Sequence, residues 1–301
     1  MGIREGVAEQ FSGRGTRADI WHAFDLFLDT DQYLNLGFSR WYQPHALPSS
    51  QRRLATLVGQ RLTAAVDTHT PPPRLLDVGC GRGGPAIHLS EKFGFEVLGV
   101  DLVQHNIARA IENAKCSESN ADFVVGDATA LPVATGSHGA ATAIDALVYL
   151  SDRAAVIGEI SRILEPGAPL ILSDLVLAED CSKAERDTVA AFADAWDMSM
   201  PATRMEYERL IEMTGLRIEA IEDLTPNSIG GFRRWTRPFL RLIAGPVGGF
   251  VERLLERYGL DPGVIFEQIR LAHAAVPHLR HLLIRSRRSR TLAPQVTTHR
   301  K

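Results

Sequence analysis

The chain has 301 residues, 45% hydrophobic and 23% charged, with a formal net charge of -3 at pH 7. This is the composition of a soluble globular protein, and so small a net charge excludes a general pull toward nucleic acid or an anionic membrane. Cys80, Cys116 and Cys181 are an odd number of cysteines with no CxxC spacing. Neither a disulfide framework nor a zinc site is expected, no metal is invoked, and a reducing, cytoplasmic setting fits. No stretch reaches the roughly 18 uncharged apolar residues of a membrane span, so no stable membrane insertion is expected. The N-terminal "MGIREGVAEQFSGRGTRADIW" lacks the apolar core of a signal peptide.

Residues 1–70 are expected to form an N-terminal helical cap. "ADIWHAFDLFLD" places Ile20, Phe24 and Phe27 on one stripe. "SSQRRLATLVGQRLTAAV" begins with serines suited to N-capping and carries Leu54, Leu57, Val58 and Leu62 at helical spacing. Between them lies the aromatic-rich "QYLNLGFSRWYQPHALP".

From residue 71 the rhythm changes. Short apolar runs bounded by Gly, Asp or Pro alternate with helical windows: "RLLDVG" and "GPAIHLSEKFG", "EVLGVD" and "VQHNIARAIENAK", "ADFVVGD", then "AATAIDAL" and "DRAAVIGEISRIL", then "APLILSDLVL". Such runs suit strands buried on both faces, and their alternation with helices implies parallel βαβ units. A further helix and strand follow in "RMEYERLIEMTG" and "LRIEAIEDLT", and "HLLIRS" is read as the last strand. The core is thus assigned to 71–225 and 278–290, with a helical lid insertion at 226–277 and a loose tail at 291–301.

In "LLDVGCGRGG" a strand runs into a loop with the spacing Gly79-x-Gly81-x-Gly83 rather than the GxGxxG associated with pyrophosphate. Asp77 at the strand end would repel a phosphate and attract an ammonium. Asp101 ends the next strand, where a carboxylate accepts from both hydroxyls of a ribose; Leu102 follows it. Asp127 and Ala128 end the strand after that, offering an acceptor to an adenine amino group and a backbone N–H to the ring. Adenine, ribose, a cationic tail and no phosphate together describe S-adenosylmethionine.

This constellation, from about Leu75 to Leu175, resembles the class I methyltransferases, as does the Glu-Pro-Gly turn in "ILEPGAPLILSD". The resemblance implies an α/β, Rossmann-like doubly wound seven-stranded sheet with its last strand antiparallel. It implies S-adenosylmethionine as cofactor and S-adenosylhomocysteine as product, held by Asp77, Gly79, Gly81, Gly83, Asp101, Leu102, Asp127 and Ala128. Asp145 faces the sulfonium or amino group, or else is a structural turn residue.

Within that family the chain resembles the small-molecule enzymes: natural-product O-methyltransferases and the sterol, quinone and tocopherol C-methylating relatives. "YLNLGFSRW" matches their aromatic segment ahead of the sheet, putting Tyr33 and Trp41 near a substrate. "DALVYLSD" has Val148 and Tyr149 where members often carry a histidine pair, so Asp174 or Tyr149 is expected to act on the acceptor, unless no strong base is needed. Methyl transfer to an oxygen or carbon of a small, largely apolar metabolite is therefore expected. A methyltransferase-like scaffold acting as a cyclase or binding module is an alternative, and a nucleotide-dependent oxidoreductase a further one. "FRRWTRPFLRLIAGPVGGF" reads as a lid hinged at Gly230, Gly231, Gly245, Gly248 and Gly249, with Trp235 toward substrate. Its arginines suit either peripheral contact with a membrane surface or an anionic group in the pocket. No nucleic-acid partner is expected, and a homo-oligomer is left open.

Overall fold

The computed structural model describes residues 19–28, 32–40, 43, 47–66 and 72–290. Trp41, the side chain of Phe27, residues 1–18 of the cap and the 291–301 tail lie outside the described residues.

Seven strands form one sheet: β1 (Arg74–Val78), β2 (Glu96–Asp101), β3 (Ala121–Val125), β4 (Ala140–Ile144), β5 (Pro169–Leu177), β6 (Leu216–Asp223) and β7 (Leu279–Arg288), in the order β3-β2-β1-β4-β5-β7-β6. The strands up to β5 pair in parallel, whereas β7 runs antiparallel to both β5 and β6. The last strand is reversed, as the resemblance implied. β4 and β5 are buried along their whole length, which is why they read as mainly apolar runs rather than alternating ones.

Helices α1 (Asp19–Leu28) and α2 (Leu47–Ala65) precede the sheet; α3 (Gly84–Phe93), α4 (Gln104–Lys115), α5 (Arg153–Ile163), α6 (Lys183–Ala195) and α7 (Arg204–Met213) punctuate it. Local chemistry fixes several ends. Ser182 with Glu185, and Thr203 with Glu206, close capping boxes on α6 and α7. Ser49 and Ser50, expected as N-caps, lie inside α2 instead, because the helix already starts at Leu47 and the Ser50 hydroxyl donates back to the Leu47 carbonyl.

Between β6 and β7 come α8 (Ile229–Ile243), α9 (Gly248–Arg257) and α10 (Pro262–Ala275). They pack with α1 and α6 into a cluster above the sheet that includes Trp21, Phe24, Trp196, Ile229, Phe266 and Val276. The hinge expectation needs correction. Gly230 and Gly231 sit within the first turn of α8, and only Gly245 lies in the α8–α9 connection, with Gly248 and Gly249 opening α9.

Candidate active site

At the carboxyl ends of the parallel strands the backbone turns sharply after β1. Gly79, Gly81 and Gly83 all have positive φ, at 72°, 53° and 83°. A side chain at Gly79 would place its Cβ 2.5 Å from the Ala146 Cβ, so close packing as well as dihedral angle requires glycine there. The Gly81 N–H donates to Asp101 Oδ2 at 3.0 Å and the Val103 N–H to Asp101 Oδ1 at 2.8 Å, which fixes the carboxylate across the loop. Burial raises the Asp101 carboxyl, and those N–H donors oppose the rise. A cavity opens over this turn, lined by Gly79, Gly81, Asp101, Leu102, Asp127 and Ala128, with Tyr149 closing one side. Among the described residues, Asp101, Asp127 and Asp152 are its carboxylates and Arg82 its cation. Arg82 is itself tied to Asp25 of α1 at 2.6 Å. Asp77 lies behind the loop, 1% exposed, with Oδ2 lacking a hydrogen-bond partner among the described residues. Burial, and then the nearby Asp101, push its carboxyl up to about 7. Such a lone buried carboxylate beside an acid-lined cavity suits a ligand that brings positive charge and no phosphate.

A second cavity adjoins the first; Leu34, Asn35 and Tyr149 line both. Its walls include Trp21, Phe24, Phe192, Trp196, Phe232 and Trp235. Asp145 is the acidic residue on its lining. Asp145 has φ 54°, an uncommon conformation for a residue other than glycine. Three donors hold its side chain there: the Leu36 N–H at 2.8 Å, the Ser173 hydroxyl at 2.7 Å, and His281 Nε2 at 2.9 Å. Burial pushes the Asp145 carboxyl up, but His281 and the other donors outweigh it and hold the group below the usual carboxylate value.

A methyltransferase domain family matches residues 75–167. The chain is 28% identical over 222 residues to an O-methyltransferase of Aspergillus sclerotiorum, covering 70% of this chain and 81% of that one. It is 28% identical over 250 residues to the 27-O-demethylrifamycin SV methyltransferase of Amycolatopsis mediterranei, covering 80% and 86%. The chain is an S-adenosylmethionine-dependent methyltransferase, and it is similar to the class I small-molecule enzymes. Its fold also matches a geranyl diphosphate methyltransferase solved with geranyl diphosphate and sinefungin, at TM-score 0.70 and 18% identity, over 95% of this chain and 100% of that one.

The methyltransferase brings most of the expected residues together, though not all in the expected roles. Gly79, Gly81, Asp101, Leu102, Asp127 and Ala128 line the first cavity. Gly83 caps α3 behind it, packed against Phe123 and Ala110. Asp127 Oδ1 accepts from the backbone N–H and the hydroxyl of Thr129, which orients it at the rim. Asp145 lines the second cavity and not the first. Trp235 lines the second cavity, but Tyr33 lines neither: its ring packs against Gly84 at the start of α3. Asp174 also lines neither. It is 2% exposed and accepts from the Tyr207 hydroxyl of α7, and burial first of all lifts its carboxyl to about 7. Tyr149 stands at the junction of the cavities, but burial and then Asp145, Asp174 and Asp197 drive its phenol well above the usual value. A phenol so disfavoured as an anion stays protonated and is suited to donate a hydrogen bond.

Sequence reasoning missed His281, which reaches Asp145 from β7, and Asn35 and Gln51 on the lining of the second cavity. The histidine that opens the apolar Leu-Leu-Ile stretch of "HLLIRS" was the available signal for His281. Arg233, Arg234, Arg237 and Arg241 are exposed on α8, whereas Phe232 and Trp235 of the same helix line the cavity, so these arginines do not reach into the pocket as an anion site. Cys181, Glu185 and His278 form the group closest to metal-ligand spacing among the described residues, and they belong to neither cavity.

Proposed function

We propose that this methyltransferase transfers a methyl group from S-adenosylmethionine to an oxygen of a small, largely apolar metabolite. S-adenosylmethionine-dependent methylation of small metabolites is its activity class. The observation that carries the choice of oxygen is a single carboxylate, Asp145, set into an aromatic cavity that shares the wall residue Tyr149 with the glycine-loop cavity.

Asp101 and Leu102 would hold the ribose, Asp127 and Ala128 the adenine, and Gly79, Gly81 and Asp77 the amino-acid tail. The donor set fits, because carboxylates surround a cavity whose arginine is already paired. S-adenosylmethionine supplies an electrophilic methyl group on a sulfonium. The aromatic walls exclude water and hold the acceptor in line. Tyr149, kept as a neutral phenol, donates a hydrogen bond at the junction. Asp145, kept ionised by His281, Ser173 and the Leu36 N–H, takes the proton of the acceptor hydroxyl. An oxygen that is gaining a methyl group becomes strongly acidic, so a carboxylate of low pKa suffices as its base.

Residues 226–277 act as the lid, with Phe232 and Trp235 turned to the acceptor and the exposed arginines turned outward, where peripheral contact with a membrane surface is open to them. No helix among the described residues is long and apolar enough to cross a membrane. Three free cysteines are in keeping with a reducing, cytoplasmic setting. A cyclase or binding scaffold is the weaker reading, since the relatives are named for methyl transfer. A pyrophosphate-bearing nicotinamide cofactor would meet repulsion from Asp101, Asp127 and Asp152. Incubation with radiolabelled S-adenosylmethionine and a panel of phenols and aliphatic alcohols tests the proposal. Ether products support it, whereas products labelled only at carbon refute oxygen as the acceptor.

A further inference from the structure

The second cavity contains polar groups that the chemistry above does not use. Gln51, on α2, is 2% exposed, and Asn35, in the segment that precedes α2, is 6% exposed; both line the cavity. Their amide orientations are fixed by the bonds they already make. Gln51 Nε2 donates to the carbonyls of Asn35 at 2.8 Å and Tyr33 at 3.2 Å, and Asn35 Oδ1 accepts from the Gly37 N–H at 3.0 Å. What remains is one acceptor, Gln51 Oε1, and one donor, Asn35 Nδ2, each buried and without a partner among the described residues. A buried amide group left unmatched is costly, so such groups are normally satisfied by something. Here the cavity is the place from which a partner can come.

The charge pattern narrows what that partner is. Among the described residues, Asp145 is the one ionised side chain on the lining, and neither lysine nor arginine lines it. An anionic substrate would be stripped of water beside the Asp145 carboxylate, with His281 already engaged by Asp145 and no lysine or arginine among the described lining residues to receive it. A flat hydrocarbon body suits the Trp and Phe walls, which favour stacked or edge-on rings. A hydroxyl both donates and accepts, and so completes the free acceptor of Gln51 together with the free donor of Asn35.

Building on the methyltransferase reading of the site, we propose that the second cavity selects an uncharged, ring-bearing metabolite and anchors it by a hydroxyl between Gln51 and Asn35, which are its specificity-determining residues. An anionic acceptor such as a prenyl diphosphate is rejected.

The test uses the full chain saturated with S-adenosylhomocysteine, whose binding is measured first by calorimetry. Failure at that step overturns the methyltransferase reading itself and is distinguishable from failure of the present proposal. Equilibrium dialysis then compares 1-naphthol with naphthalene, and geraniol with geranyl diphosphate. We expect 1-naphthol to bind about threefold to tenfold more tightly than naphthalene, as one satisfied hydrogen bond gives, and geraniol to bind at least about tenfold more tightly than its diphosphate. Gln51→Leu removes the free acceptor, and should erase the advantage of 1-naphthol while leaving naphthalene unchanged. Because Gln51 also braces the 33–35 segment, Asn35→Asp provides a second variant; it keeps an oxygen for the Gly37 N–H but converts the free donor into an acceptor, with the same selective loss expected. Equal binding of geraniol and its diphosphate, or equal losses for naphthol and naphthalene in either variant, would overturn the proposal.

Discussion

Replacing Gly79 by alanine isolates the turn on which the cofactor cavity is built. Its φ of 72° places a β-carbon in the left-handed region, which costs about 1–2 kcal/mol for an L-residue. The new methyl would also lie 2.5 Å from the Ala146 Cβ, an atom fixed to the backbone that cannot rotate away. Overpacking of that kind adds about 1–3 kcal/mol. The sum is about 2–5 kcal/mol, and at about 2–4 °C per kcal/mol for a domain of this size the melting temperature should fall by about 4–20 °C. Gly81→Ala is the control. It meets only the flexible tip of Leu34, at 3.1 Å, and should cost little beyond the left-handed φ. Differential scanning calorimetry on both variants, with circular dichroism to confirm folding, reads the difference. A Gly79→Ala protein as stable as the wild type, or less affected than Gly81→Ala, would refute the argument that the loop is locked by both conformation and contact.

The remaining expectations concern charge. The folded-state pKa of Asp77 is about 7 against an ordinary 3.8. The folded chain therefore keeps a proton that the unfolded chain releases, and stability falls as pH rises from about 4 to about 7, by at most about 4 kcal/mol for this group; Asp174 acts in the same direction. A cationic ligand beside Asp77 favours its ionised form. S-adenosylhomocysteine should accordingly bind more tightly at pH 8 than at pH 6, and a calorimetric series that is flat in the wild type, or just as steep in Asp77→Asn, would contradict that role. Asp145→Asn keeps a residue that tolerates positive φ, so cofactor affinity should survive while kcat for methyl transfer drops by about 100-fold to 10,000-fold; an unchanged kcat removes Asp145 as the base. Asp25→Asn takes the counter-charge from Arg82, whose side chain is 5% exposed, and should destabilise the protein by about 3 kcal/mol in chemical denaturation. A loss below about 1 kcal/mol would place that pair among ordinary surface salt bridges.

The parts of this molecule that were legible in the sequence are those in which a local rule acts alone. β4 and β5 lie within mainly apolar runs bounded by Gly, Asp or Pro, which mark strands. Asp101 and Asp127 were legible because Asp101 ends β2 and Asp127 follows β3 by two residues, and a parallel sheet brings strand ends to one crevice. Asp174 was not legible. β5 is buried on both faces, so its hydrophobic pattern carries no signal of which side a residue takes. Ser173 faces Asp145 and Leu175 lines the second cavity, while Asp174, alternating with them, turns to Tyr207. His281 is 136 positions from Asp145 in the chain and meets it only because β7 inserts antiparallel beside β5, with His281 opposite Leu175. The proton-accepting pair proposed above thus draws on the end of β4 and on β7, far apart in the chain. Gln51 and Asn35 were hidden for a similar reason, since the cap's fold over the strand ends leaves no periodic trace.

All of this depends on the acid-tipped strand ends holding a sulfonium nucleoside rather than a phosphate-bearing one. Isothermal titration of the wild type and of Asp101→Ala with S-adenosylhomocysteine, and separately with NADPH, tests that directly. The account predicts one-to-one binding of S-adenosylhomocysteine, lost or at least about tenfold weaker in Asp101→Ala, and no heat from NADPH. Binding of NADPH without S-adenosylhomocysteine, or equal affinity in the variant, would contradict it.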